Sequence, residues 1–188
     1  MPHNKLKLLS VMSRIFNDFD WNKFWNEAEY TYKNRTGPPI TAEDIQKVSD
    51  QLGYRLPLSY LELLENKNGG YPINNCFPTL TPTSWADDHV KITSILGINQ
   101  HAFSILGTTG TQAMMDEWGY PNIGILICDT PSGGHDAIML DYRKCGNNGE
   151  PAVVHIEITD DEPVITHLAD NFEAFIRGLV DDKQFEID

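Results

Sequence analysis

Apolar positions recur at helical spacing through the first third of the chain. Leu8, Leu9, Met12, Ile15, Phe16 and Phe19 give the opening segment one apolar face, the pattern of an amphipathic helix. Asp20 is placed to cap a second helix, with Trp21, Phe24, Trp25 and Ala28 on a stripe suited to core or inter-helix packing. Thr36-Gly37-Pro38-Pro39 interrupts the pattern and makes the clearest linker. Thr41-Ala42-Glu43-Asp44 then caps a helix, Asp44 standing where Glu is usual, and Ile45, Val48 and Leu52 form its buried face up to Gly53. Leu56-Pro57-Leu58 starts another, with Leu58, Leu61 and Leu63 or Leu64 inward, and Asn68-Gly69-Gly70 stops it.

From Tyr71 onward the period shortens to two. The spacing predicts strands at Cys76–Thr79, Val90–Ile98, Ile123–Cys128, Ala137–Tyr142, Val153–Ile158 and Pro163–Leu168, with a short helix from Thr111 to Trp118. Thr130-Pro131-Ser132-Gly133-Gly134-His135 forms a hairpin loop and Asp160-Asp161-Glu162 a tight acidic turn. A closing helix takes Asp170 as cap and Phe172, Phe175, Ile176 and Leu179 as its apolar face. Helices, hairpin-linked strands and a last helix make an α+β fold, a mainly antiparallel sheet of about five to six strands. Residues 1–36 read as an N-terminal helical extension packed on an α+β domain of 37–188.

Composition adds charge to this picture. The 188 residues carry 14 Lys plus Arg against 27 Asp plus Glu, a net of −13. From Glu150 to Asp188 eleven carboxylates face only Arg177 and Lys183, a net of −9 in 39 residues. Such a chain is a poor ligand for a nucleic-acid backbone or an anionic membrane. This acidic C-terminal segment would steer a basic partner, although surplus carboxylates also serve solubility. Cys76, Cys128 and Cys145 are three widely spaced thiols with no CxxC, which points to a reducing cytoplasm. The first residues only faintly imitate a secretory signal, and no run reaches the length of a membrane helix.

Candidate chemistry is sparse. P-loop, dinucleotide-binding, HExxH and GxSxG signatures are absent. Cys128 reads as a small buried hydrophobe, Cys145 lies in a turn and Ser132 lacks an evident base. Asp87-Asp88-His89 forms one polar cluster. His135 and Asp136, with Asp141 and with His155 and Glu157 on a neighbouring strand, form another. His155 and Glu157 share a strand face, so a carboxylate–imidazole metal site is conceivable. The stronger expectation is that Asp136 bonds loop amides while His155 and Glu157 line a solvent face, with no metal and no catalysis.

Ile40-Thr41-Ala42-Glu43-Asp44-Ile45, Leu52-Gly53-Tyr54-Arg55-Leu56-Pro57 and Asn68-Gly69-Gly70 resemble the opening motif of the SUKH superfamily, named after fungal Smi/Knr cell-wall-assembly regulators. There an acidic helix, an LG…LP turn and a second helix end on NGG. Gly124–Asp129 through Gly133-Gly134-His135-Asp136 to Leu140-Asp141-Tyr142-Arg143 resembles its central hairpin. Leu168-Ala169-Asp170-Asn171-Phe172-Glu173-Ala174-Phe175-Ile176 resembles its LA-x-x-F-x-x-F helix. The motifs cover roughly Pro39 to Val180. Two departures stand out: His135 separates the glycines from Asp136, and the aromatic segment before Gly37 exceeds the common core.

The resemblance implies a binding module without catalytic residues or cofactor. Bacterial members are mostly taken to be immunity proteins that neutralise toxins, many of them nucleases, and fungal members act as regulatory interaction proteins. The leading expectation is therefore an immunity-type protein that occludes a basic toxin domain. Its contacts are expected from Asp160, Asp161 and Glu162, then Asp181 and Asp182, with Trp85 beside Asp87 and Asp88 as an aromatic anchor or a side chain folded over the core. Gly69, Gly70, Gly133, Gly134, Asp136 and Asp141 are expected to shape the scaffold. A regulatory module, or a small-ligand or metal-binding domain built on His135, Asp136, Asp141, His155 and Glu157, are the alternatives. Oligomeric state stays open between monomer and homodimer.

Overall fold

The computed structural model describes residues 15–28, 35–98 and 101–186. Leu8, Leu9 and Met12 of the opening stripe lie outside them. Asp20 does cap, accepting from Asn22 N at 3.2 Å, but it opens only a single 3-10 turn, Trp21–Lys23. The expected second helix stops there. Phe16, Phe19, Trp21 and Phe24 pack ring against ring at 4.7–5.6 Å, and Trp25 pairs in a β-bridge with Pro72. Aromatic packing satisfies the stripe without a helix.

Helix α1 (Ala42–Leu52) opens with the expected capping box: Thr41 Oγ1 accepts from Asp44 N, and the Asp44 carboxylate accepts from Thr41 N at 2.9 Å. Helix α2 (Leu58–Asn66) comes after Pro57 and buries Tyr60, Leu61, Leu63 and Leu64. Beyond it Asn68 is buried with its amide fully used. It donates to Pro38 O and Ile98 O and accepts from Ile98 N, as a polar group inside a core must. Gly69 next to it has φ +85°, and a Cβ there would lie 2.7 Å from Arg35 O and Gly97 N. Only glycine allows the segments to meet this closely.

The expected strand Val90–Ile98 is broken in two. Strands β1 (Cys76–Pro78) and β2 (His89–Lys91) form a small antiparallel ribbon. After β2 the chain leaves it, and Ser94 and Ile95 form β3 of a second sheet. That sheet continues through β4 (Gly124–Asp129), β5 (Asp136–Asp141), β6 (Ala152–Glu157) and β7 (Val164–Ala169). Its order β3-β4-β5-β6-β7 is antiparallel throughout, five strands in a sheet expected to hold about five to six, with the two-stranded ribbon separate from it. Helix α3 (Thr111–Trp118) precedes β4, and α4 (Phe172–Gly178) comes after β7 and packs on α2, β6, β7 and β1. The cap of α4 is Asn171, whose Oδ1 accepts from Ala174 N at 2.8 Å, one residue after the expected Asp170. Asp170 instead faces His167. Tyr60 on α2 meets Phe172 on α4 edge-to-face at 4.7 Å and donates to Leu96 O, so one core joins helices and sheet. The fold is α+β.

Candidate functional site at the hairpin end of the sheet

The loop 130–135 between β4 and β5 turns through Gly133 (φ +74°) and Gly134 (φ +115°), backbone angles that side chains disfavour. Thr130 Oγ1 donates to Asp136 Oδ1 at 2.7 Å, and Ser132 Oγ accepts from Asp136 N at 3.1 Å. Asp136 Oδ2 lies 2.6 Å from His155 Nε2. His155 is fully buried, and its Nδ1 faces Glu157 Oε2 at 4.0 Å. Glu157 Oε1 in turn accepts from Ser84 N at 2.5 Å. Two hydrogen-bonded pairs therefore stand next to each other on β5 and β6, Asp136–His155 beneath the Gly-Gly loop and Glu157–Ser84 beneath the loop 79–88, and among the described residues His155 Nδ1 between them has no hydrogen-bond partner. Burial pushes the Asp136 carboxyl up, but hydrogen bonds from His155, Ser132 and Thr130 outweigh it and hold the group below the usual carboxylate range.

The expectation of a solvent face for His155 and Glu157 is overturned: both are buried, because the loop 79–88 closes over the end of β6. Nor does the five-residue cluster assemble. His135 points away and sets its ring perpendicular to Trp118 at 5.4 Å. Asp141 sits at the far end of β5, opposite Ala152, clamped by Arg143 at 2.7 Å. Among the described residues no three His, Cys, Asp or Glu converge so as to hold a metal ion. Cys128 is wholly buried, and burial pushes its thiol well up, which removes the thiolate a nucleophile needs. What this arrangement does is fasten two loops to the sheet.

The acidic residues collect around those loops. Asp160, Asp161 and Glu162 are exposed in the turn directly after Glu157, closed within itself by Thr159 Oγ1 donating to Glu162 O and accepting from Asp161 N. Ser84 brings Trp85, Asp87 and Asp88 alongside. Trp85 is 38% exposed, and its Nε1 donates to His89 Nε2 at 3.3 Å while His89 Nδ1 faces Asp88 at 2.8 Å. The His89 ring stacks on Phe185 at 3.9 Å. Phe185 belongs to the 3-10 turn Asp182–Phe185, capped by Asp181, which accepts from Lys183 N. Asp182 is paired with Lys91 at 2.8 Å, and the hydrogen bond from Lys91 holds its carboxyl below the ordinary range. Asp181 and Asp182 are therefore occupied within the fold. Among the described residues the carboxylates of Asp87, Asp160, Asp161 and Glu162 have no cationic partner.

Beside this end lies a cleft of ≈ 400 Å³ between α3 and the Gly-Gly loop, walled by Met114 and Trp118 and floored by Leu126 and Ala137. Arg35 closes it, stacked on Phe103 at 3.6 Å and paired with Asp129. Arg35, Asp129 and Trp118 belong to no motif or polar cluster that the sequence marks as a site. Asp129 closes an apolar strand just before the hairpin loop, which was a usable signal; Arg35 offered none, since its partner is 94 residues away.

The capping box, the Asn68-Gly69-Gly70 junction, the five-stranded meander and the closing helix occur in the order of one known family. The SMI1 / KNR4 family (SUKH-1) model matches residues 39–178. The chain belongs to that family. The SUKH-1 match takes in α1 through α4 and, among the described residues, all seven strands, and domains of this family are in general protein-interaction modules. No curated protein matches the chain. Among the described residues, no helix of this SUKH-1 chain is long and apolar enough to cross a membrane.

Proposed function

We propose that the protein is a non-enzymatic binding protein of the immunity type, which occludes a basic, nuclease-like toxin domain with the hairpin end of its sheet. The observation that carries this reading is the gathering there of Asp87, Asp160, Asp161 and Glu162, exposed and unpaired among the described residues, around the half-exposed Trp85. Nucleases are basic because they hold phosphates, so free carboxylates raise the association rate and Trp85 supplies a desolvated anchor. The Asp136–His155 and Glu157–Ser84 hydrogen bonds support the same reading, because each ties one of the two loops to the sheet before a partner arrives.

The test begins by recovering the partner from the native host on the tagged protein, with low- and high-salt washes. A basic protein carrying a toxin-like domain, released by salt, is expected. Against that partner, Asp160→Lys, Asp161→Lys and Glu162→Lys together should slow association at least about tenfold at low ionic strength and flatten its salt dependence, with the melting transition kept. Unchanged association would remove the turn from the interface. A partner without toxic activity would replace immunity by a regulatory role.

A further inference from the structure

Strand β7 is one of the two outer strands of the five-stranded sheet, and its ladder with β6 runs from Glu157–Val164 to Val153–Ala169 with one register shift between Val153 and Val154. Its six residues Val164–Ala169 make no backbone hydrogen bond among the described residues beyond the ladder with β6. Neighbouring strands β4, β5 and β6 are buried almost throughout, whereas Val164 is 47% exposed and His167 is exposed as well. Exposed edges in soluble proteins are usually blunted by Lys, Pro, inward charge or a covering loop. Within Val-Ile-Thr-His-Leu-Ala there is no Lys, Arg, Asp, Glu or Pro. The guarding charges stand instead at both ends: Asp160, Asp161 and Glu162 before the strand and Asp170, whose side chain is 94% exposed, after it.

We infer that the β7 edge takes an extended basic segment of a protein partner as a sixth strand, its Lys or Arg residues meeting the acidic groups at the two ends. This rests on the reading of the protein as a binder of basic partners and says how it binds. The strand spans about 20 Å at about 3.3 Å per residue, enough for a ladder of alternate hydrogen bonds with a short peptide. Charge placement also selects the occupant. Antiparallel pairing of two copies through β7 would set the acidic turn of each beside Asp170 of the other, so like charges oppose self-association while a cationic segment is attracted at both ends.

The probe is a synthetic peptide of about six alternating Thr and Val residues with Lys flanks, titrated into isotope-labelled protein at low salt. Binding should shift and protect the β7 amides. Glu flanks should weaken it at least about tenfold, and N-methylation of one alternate set of peptide amides should abolish it while methylation of the other set is tolerated. Val164→Lys with His167→Lys, both at exposed positions, should abolish binding with the melting temperature kept. Absence of binding by the Lys-flanked peptide, equal binding by both methylated forms, or concentration-dependent dimerisation through β7 would each overturn the inference. If the methylated forms and the edge variant bind normally but Lys at 160–162 destroys binding, the edge proposal falls and the acidic-face reading stands.

Discussion

At Asp136 a carboxylate with almost no solvent contact is kept charged by three neighbours, Thr130, Ser132 and His155. Its folded pKa lies below the ordinary value of 3.8. The unfolded chain therefore takes up the proton first as pH falls. The stability this group supplies is complete above the unfolded pKa and is lost as pH drops through the folded one. Asp141 behaves alike for a different reason: burial pushes it up, and Arg143 overrides this through a side-chain bond. Asp136→Asn is expected to cost about 1.5–3 kcal/mol at pH 7, the scale of a hydrogen bond to a charged group. It should also flatten the loss of stability as pH falls through and below the ordinary carboxylate value of 3.8. Urea denaturation across that range measures both, and an acid limb with the wild-type slope would show that Asp136 is not a source of it.

Among the elements, α1 has the most complete local definition. Thr41→Ala should remove about 1 kcal/mol, readable as a lower urea midpoint with unchanged slope. An undiminished midpoint would mean that the Asp44 half of the box suffices. This element could be read directly from the sequence because its cap, its stripe Ile45-Val48-Leu52 and its stop at Gly53 act within a few residues. The strands β4 to β7 were readable for the same reason, each hairpin being local. Where contacts are distant, the reading failed. The aromatic stripe after Asp20 is satisfied by rings and by Pro72, 47 residues beyond Trp25. Ile92 N still bonds Asn75 O of the ribbon, and the break comes just after it, where Thr93 N bonds Asp129 O and Ser94 pairs with Asp129 on the other sheet. His155 and Glu157 alternate as surface residues would, and only Ser84, 73 positions from Glu157, shows why they are buried. Of the candidate site, the acids and Trp85 could be singled out one by one, but their convergence could not.

The whole molecule carries a net −13, so its compact state works against its own field. Raising ionic strength from about 0.01 to 0.15 M shortens the Debye length from about 30 to 8 Å. The melting temperature should therefore rise over that interval, and calorimetry would check it. A fall would mean that pairs such as Asp141–Arg143 and Asp182–Lys91 outweigh the general repulsion. The turn from Ile158 to Pro163 has a consequence at this scale. Thr159 closes it from within, and its three acidic side chains touch nothing the strands depend on. Substitutions there leave the registers of β6 and β7 alone. A lineage built on this chain can change the charge it offers, and with it the company it keeps, by point mutation at three positions while inheriting the same architecture.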